Sequence, residues 1–153
     1  MIRIHDNFLT PAECAYWIDQ SPVYNKINPK GNEDWHLRQK NITNFPIVEK
    51  VKTFHKLNDN LNLNISEAST QLWADGTEAL AHVHDELGGR AHTQYNSIIY
   101  LNDNFQGGEF FTNDQVVVPV PGRLIVFDGS KELHGIKPIN GNHRYTLIFW
   151  WLK

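Results

Sequence analysis

The apolar positions of this chain change period once. Near the N-terminus Ile2 and Ile4 alternate with polar residues as in a short strand, and Phe8-Leu9 leads into Thr10-Pro11-Ala12-Glu13, a capping box with proline at the first helical position. A helix is predicted from about Pro11 to Gln20, with Cys14, Trp17 and Ile18 on one face. Cys14 is read there as a small buried hydrophobe rather than a reactive thiol. Residues 21–44 are rich in Asn, Pro, Lys and Gly with little periodicity, which predicts a long loop whose Trp35, His36 and Arg38 are candidates for substrate contact. Past Pro46, the positions Ile47, Val48, Val51, Phe54 and Leu57 predict a second amphipathic helix to about Asn58, with His55 as a surface histidine.

From Leu61 onward period two takes over. Strands are predicted over 63–73, 78–86, 95–102, 108–112, 115–118, 123–128, 134–139 and 143–151, with turn residues at Asp75-Gly76, Gln106-Gly107-Gly108, Pro121-Gly122 and Asn140-Gly141. Tyr145 to Trp151 is apolar almost throughout, which suits a central strand covered on both faces. The whole reads as a mostly β protein with N-terminal helices, an antiparallel barrel or sandwich buttressed by two α-helices. One domain over 1–153 is expected, residues 1–60 forming helical support and loop and 61–153 the β core.

Composition narrows the partners. At 153 residues, 41% hydrophobic and 12% aromatic, the chain has material for one core. A formal charge of −3 and a pI near 6.2 give no electrostatic case for nucleic acid or an anionic membrane. A single cysteine, no apolar run of 18 residues and no leader-like N-terminus give the expectation of a cytoplasmic protein without disulfides or membrane spans. Its oligomeric state is not legible.

The chemistry lies in the histidines. On a strand, His82, His84 and Glu86 share one face while Val83 and Asp85 share the other. A His-x-Glu pair with a distant histidine such as His134 supplies two imidazoles and a carboxylate, the set that leaves open positions on a non-haem Fe(II). Zinc hydrolysis uses the same ligand types, and surface histidines on an amphipathic strand are the alternative.

Further residues carry a resemblance. Trp73 and Gly76, Tyr100-Leu101-Asn102-Asp103, Gly107-Gly108-Glu109-Phe110, Pro121-Gly122-Arg123-Leu124-Ile125-Val126-Phe127, His134 and Gly141-Asn142-His143-Arg144-Tyr145-Thr146 occur in an order and spacing that resembles the 2-oxoglutarate and Fe(II)-dependent oxygenases, specifically their compact prolyl 4-hydroxylase-like branch. Asp6-Asn7-Phe8-Leu9-Thr10 with Glu13-Cys14 is similar to the leading helix of that branch.

The resemblance implies a double-stranded β-helix, or jelly roll, whose mouth holds Fe(II) and 2-oxoglutarate, with O2 as the second cosubstrate and room for ascorbate as an accessory. It maps the second iron histidine to His134 and the basic residue that grips the distal carboxylate of 2-oxoglutarate to Arg144. Thr146, two residues on, faces the same way, and Tyr100 adds a hydrogen bond. A guanidinium in an apolar strand needs an anionic partner to offset its desolvation, the alternative being a salt bridge at the rim. His143 points the other way and is read as structural.

The first ligands depart from the family pattern of His-x-Asp with the histidine six residues after the glycine. That offset from Gly76 selects His82, but the acidic position then holds His84. Starting at His84 gives a His-x-Glu variant with Glu86, and a β-bulge would let His82 work with Asp85. The set His84, Glu86 and His134 is preferred because it needs no bulge and keeps a carboxylate. The implied reaction hydroxylates an unactivated C–H bond, of a prolyl residue or a small molecule, while 2-oxoglutarate becomes succinate. Loss of the carboxylate would open halogenation. Gly76 through His84 also matches the opening of a cupin motif, so a cupin-like metal enzyme or a non-catalytic binding module on the same barrel is the alternative.

Overall fold

The structure, a computed structural model, describes residues 2–22, 37–84 and 90–152, with the side chains of Leu37 and Arg38 excepted. The capping box forms as the sequence predicts. The Thr10 hydroxyl accepts the Glu13 N–H at 3.2 Å, and the Glu13 carboxylate accepts the Thr10 N–H at 3.1 Å. Helix α1 (Pro11–Gln20) follows, burying Cys14 and Trp17. Helix α2 (Pro46–Asn58) starts on its proline and buries Ile47, Val48, Val51 and His55. No helix among the described residues is long and apolar enough to cross a membrane.

The remaining elements are short strands in three antiparallel sheets. The largest comprises β1 (Arg3–His5), β2 (Leu37–Asn41), β3 (Ile65–Trp73), β5 (Thr93–Tyr100), β9 (Leu124–Asp128) and β12 (Arg144–Leu152), in the order β1-β9-β5-β12-β3-β2. Facing it is a smaller sheet of β4 (Ala79–His82), β10 (His134–Ile136), β7 (Phe110–Thr112) and β8 (Val116–Val117), in that order. The pair β6 (Gln106–Gly107) and β11 (Ile139–Asn140) closes one corner. The fold is a double-stranded β-helix backed by two helices.

Strand β12 lies at the centre, between β3 and β5. Its period-two alternation sends Leu147, Phe149 and Trp151 into a core shared with Cys14 and Trp17 of α1 and Val51 of α2. Ile148 and Trp150 turn the other way, joining Ile98, Tyr100, Phe110 and Phe127 between the two sheets. Full burial of side chains of this size contributes about 1.5–3 kcal/mol each, which holds β12 in one register. Its polar residues Arg144 and Thr146 share the inter-sheet face, so the core register also aims the chemistry.

Two readings of the sequence are corrected. Leu37–Asn41, expected within a loop, is an edge strand paired with β3 from Leu37↔Trp73 to Asn41↔Ser69. Its sequence, LRQKN, has no apolar alternation, and its pairing partner lies some thirty residues away, so no local pattern marks it. With β1 on the opposite edge, residues 1–60 contribute strands as well as helical support.

His55, expected at the surface, is completely buried. Its Nδ1–H donates to Asp59 Oδ2 at 2.7 Å, and its Nε2 accepts the Ser97 hydroxyl at 2.8 Å. Trp151 Nε1–H donates to the same Ser97 oxygen at 2.8 Å, and His5 Nε2 meets the other Asp59 oxygen at 2.8 Å. Only a neutral His55 can donate on one nitrogen and accept on the other. Burial lowers its pKa, opposed by the hydrogen bond and charge of Asp59. The constellation shares its residue types with a hydrolytic triad, but Ser97 and His55 are sealed from solvent and substrate alike. Its work is to tie α2 and β1 to the sheet.

Candidate metal centre and anion pocket

Strand pairing across the mouth of the small sheet brings the histidines together. His134 opens β10 and lies opposite His82, the last residue of β4. His84 lies two residues further on, held by its backbone N–H to the Gly129 carbonyl at 2.8 Å. One ligand nitrogen from each of His82, His84 and His134 lies within 4.8 Å of the others. Among the described residues this is the one cluster able to hold a metal ion. Asp85 and Glu86 fall outside the described residues, as do Trp35 and His36 and the side chain of Arg38.

Two of the rings have a fixed tautomer. His82 Nδ1 lies 2.8 Å from the Leu80 carbonyl, and His134 Nδ1 lies 2.6 Å from the Glu132 carbonyl. A carbonyl only accepts, so each Nδ1 carries the proton and each Nε2 presents a lone pair, the arrangement of a metal-binding histidine. His134 is packed against Phe127 and Phe110, with ring centroids 4.9 and 5.6 Å away. Burial, then the proximity of His82 and His84, pushes its pKa down to about 3. His84 is also lowered, by burial first and then by His82, with the Asn96 side chain pulling the other way and Arg90 adding a smaller downward push. Both rings are therefore neutral near pH 7, the state in which imidazole binds a metal.

Arg144 lies on the same inter-sheet face and is 1% exposed. The rim salt bridge is thereby excluded. Its Nε donates to the Gly108 carbonyl at 3.0 Å, and among the described residues its Nη2 has no hydrogen-bond partner of good geometry. The hydroxyls of Tyr100 and Thr146, on cross-strand neighbours in register, are likewise buried without a partner of good geometry. Burial raises the Tyr100 pKa against the opposing pull of Arg144, so the phenol keeps its proton to donate. A buried cation and two buried hydroxyls thus lie on one inter-sheet face, an arrangement that suits an anion, because a buried polar group left unmatched costs about 1–3 kcal/mol.

The turn before Phe110 fixes this guanidinium. Gly107 has φ +74°, and a Cβ there would fall 1.8 Å from the Pro138 carbonyl oxygen, so only glycine fits. The adjoining Gly108 carbonyl then reaches Arg144 Nε. His143 accepts the Asp75 N–H at 3.0 Å through Nδ1, the structural part expected of it.

The three histidines and Arg144 line one cleft of about 390 Å³, within the usual size for a small-molecule site. Its walls include Ile98, Phe127 and Ile148, with Trp73, Gln71 and Gln39 from the β2–β3 side and Arg90 stacked 3.8 Å over the Trp150 ring. Sequence reasoning did not single out Asn96. It is a fully buried amide between Ile98 and the histidines, with neither amide atom hydrogen-bonded in good geometry. The available signal was a polar residue in the inward alternation Asn96, Ile98, Tyr100.

Comparison with known proteins gives a family and a fold. Residues 69–152 match the family model of the 2OG-Fe(II) oxygenase superfamily. Over 64 residues, 37% of this chain, the sequence is 31% identical to rat prolyl 3-hydroxylase 2, of whose length the match covers 9%. In fold, it is similar to the viral collagen prolyl hydroxylase of Paramecium Bursaria Chlorella virus-1, solved as a 2OG complex, with a TM-score of 0.75 at 17% identity over 99% of this chain and 94% of that one. A prolyl-4-hydroxylase from Pseudomonas putida gives a TM-score of 0.69 at 20% identity, covering 99% and 92%.

Proposed function

This chain belongs to the 2OG-Fe(II) oxygenase superfamily, and on that premise we propose that it hydroxylates a C–H bond of a prolyl residue in a peptide. The family's reagents are Fe(II), 2-oxoglutarate and O2. Iron and 2-oxoglutarate supply the oxidising chemistry when bound: 2-oxoglutarate and O2 give succinate and CO2, and the second oxygen atom enters the substrate C–H bond.

The donor set fits these reagents. We assign the iron to the cluster of His82, His84 and His134, whose neutral imidazoles suit Fe(II) and whose open side faces the cleft. We assign the distal carboxylate of 2-oxoglutarate to Arg144, Tyr100 and Thr146. The observation that carries the reading is the buried Arg144, which has no ion pair among the described residues, with the buried hydroxyls of Tyr100 and Thr146 on neighbouring strands. Ile98, Phe127 and Ile148 exclude water around the bound acid, strengthening every charged contact inside.

Two arguments support a prolyl substrate. The relatives and fold neighbours are named for prolyl hydroxylation. The cleft that would hold 2-oxoglutarate is also lined by Trp73 and Trp150, aromatic faces against which a compact pyrrolidine ring can pack. A reducing, cytoplasmic setting is compatible with a buried, unpaired Cys14.

The test is succinate release from 2-oxoglutarate by the purified protein with Fe(II) and ascorbate, against a panel of proline-containing peptides and free amino acids. Stimulation by peptides alone is expected. Stimulation by free amino acids alone would overturn the peptide substrate, and an absence of 2-oxoglutarate binding would overturn the assignment of the site.

A further inference from the structure

Resting on the assignment of iron to the histidine cluster, we infer that the protein's ligands to the metal are three imidazoles, His82, His84 and His134, with no carboxylate, and that Asn96 is the positioning residue for His84. The three rings already face one another, with centroids 4.5 Å apart for His82–His134, 4.9 Å for His84–His134 and 5.4 Å for His82–His84. His84 therefore occupies the place where the family pattern has an acidic residue, and the position six residues after Gly76 is filled by a histidine that takes part.

Outer partners distinguish ligands from bystanders. A metal-binding histidine donates its other N–H to a fixed acceptor, which sets the ring's tautomer and orientation. His82 and His134 use the same device, the backbone carbonyl two residues earlier. His84 has no such carbonyl. Among the described residues its buried Nδ1 has no hydrogen-bond partner of good geometry, and neither has either amide atom of Asn96. The two groups meet over the bare α-carbon of Gly129, where a Cβ would lie 2.3 Å from Asn96 Oδ1 and 2.8 Å from His84 Nδ1. A buried amide and a buried imidazole left open beside each other are costly, and the cost is removed when His84 Nε2 binds a cation and Nδ1–H turns to Asn96 Oδ1.

The arrangement has an electrostatic consequence. Three neutral ligands leave the ion's double charge intact, so the dianionic cosubstrate rather than a protein carboxylate neutralises it. Binding of metal and 2-oxoglutarate is then strongly coupled, each raising the affinity of the other by the same factor.

The experiment uses the full chain loaded with Co(II) under exclusion of oxygen. Paramagnetically shifted, solvent-exchangeable proton resonances count the ligating imidazole N–H groups, and competition with a chelator gives metal affinity. Three such resonances are expected in the wild type and two in His84→Asp, which keeps a ligand at that position and so retains the metal. Asp85→Asn and Glu86→Gln should bind Co(II) within about twofold of wild type, whereas Asn96→Ala should lose at least tenfold, the usual effect of removing an outer partner. Added 2-oxoglutarate should raise metal affinity more in the wild type than in His84→Asp. Two imidazole resonances in the wild type, with metal lost in Glu86→Gln or Asp85→Asn, would overturn the three-histidine shell and leave the iron assignment standing. A wild type that binds no metal would overturn both. An unchanged affinity in Asn96→Ala would remove its positioning role.

Discussion

Replacing Arg144 with methionine should leave the fold intact and the protein unable to hold 2-oxoglutarate. The guanidinium is 1% exposed and has no ion pair among the described residues, where its Nε donates to the Gly108 carbonyl. Burying an ion costs several kcal/mol, and exchange of buried ionic groups for apolar residues of similar volume is often neutral or stabilising by about 1–4 kcal/mol. Methionine matches the length of the stem but leaves Gly108 without a donor, a loss of about 1–3 kcal/mol. Set against a gain of about 1–4 kcal/mol, that loss leaves a balance between about −2 and +3 kcal/mol, the upper end being roughly 10 °C in Tm for a chain of this size. The ligand response should go the other way. At 2-oxoglutarate one hundred times its Kd the wild type gains about 2.7 kcal/mol, whereas the variant gains nothing.

The assay is thermal unfolding with and without 2-oxoglutarate, with Mn(II) as a redox-inert metal. The wild type should shift by several degrees and Arg144→Met should not. Tyr100→Phe, which removes one donor, should shift by an intermediate amount. A variant that keeps the full ligand shift would show that the acid binds elsewhere. A metal-free variant destabilised by more than about 2 kcal/mol would show that Arg144 serves the fold.

His55→Ala, which takes one partner each from the buried Asp59 carboxylate and the Ser97 hydroxyl and empties a packed site, should cost about 3–5 kcal/mol by urea unfolding; a loss under 1 kcal/mol would mean that the network is dispensable. Gly107→Ala places a methyl group on the Pro138 carbonyl and should prevent soluble expression or lower Tm by more than 10 °C, and a normal Tm would refute the close approach. The metal-free protein should lose stability as pH falls. His134 titrates near 3 when folded and near 6.5 when unfolded, so between these values the unfolded chain binds more protons, and its contribution is complete above 6.5 and lost toward 3. At pH 5.5 the loss from this one group is about 1.4 kcal/mol relative to pH 7.5, and a urea midpoint that does not fall would contradict it.

The sequence by itself determined the elements whose signals are local. The capping box at Thr10 and the proline at 46 start both helices, since a cap is a bond between residues three apart. The near-continuous apolar run Tyr145 to Trp151 marked a central strand covered on both faces, and turn glycines marked the hairpin corners. The resemblance motifs gave the family and drew attention to the histidines and Arg144.

Only the tertiary structure decided what depends on register between distant strands. It paired β2 with β3, for which five polar-rich residues carry no signal of their own. It buried His55, because a hydrogen-bond chain from α2 through Ser97 to Trp151 is assembled from segments 42 and 54 residues apart. It joined Asp6 to Arg123 in a two-pronged ion pair at 2.7 and 3.2 Å, although each motif was legible alone. Most of all, it brought His82, His84 and His134 to one point and set Asn96 beside them. Spacing along a strand gives the face on which a side chain lies, but the pairing of β4 with β10 decides which residues from elsewhere meet it there.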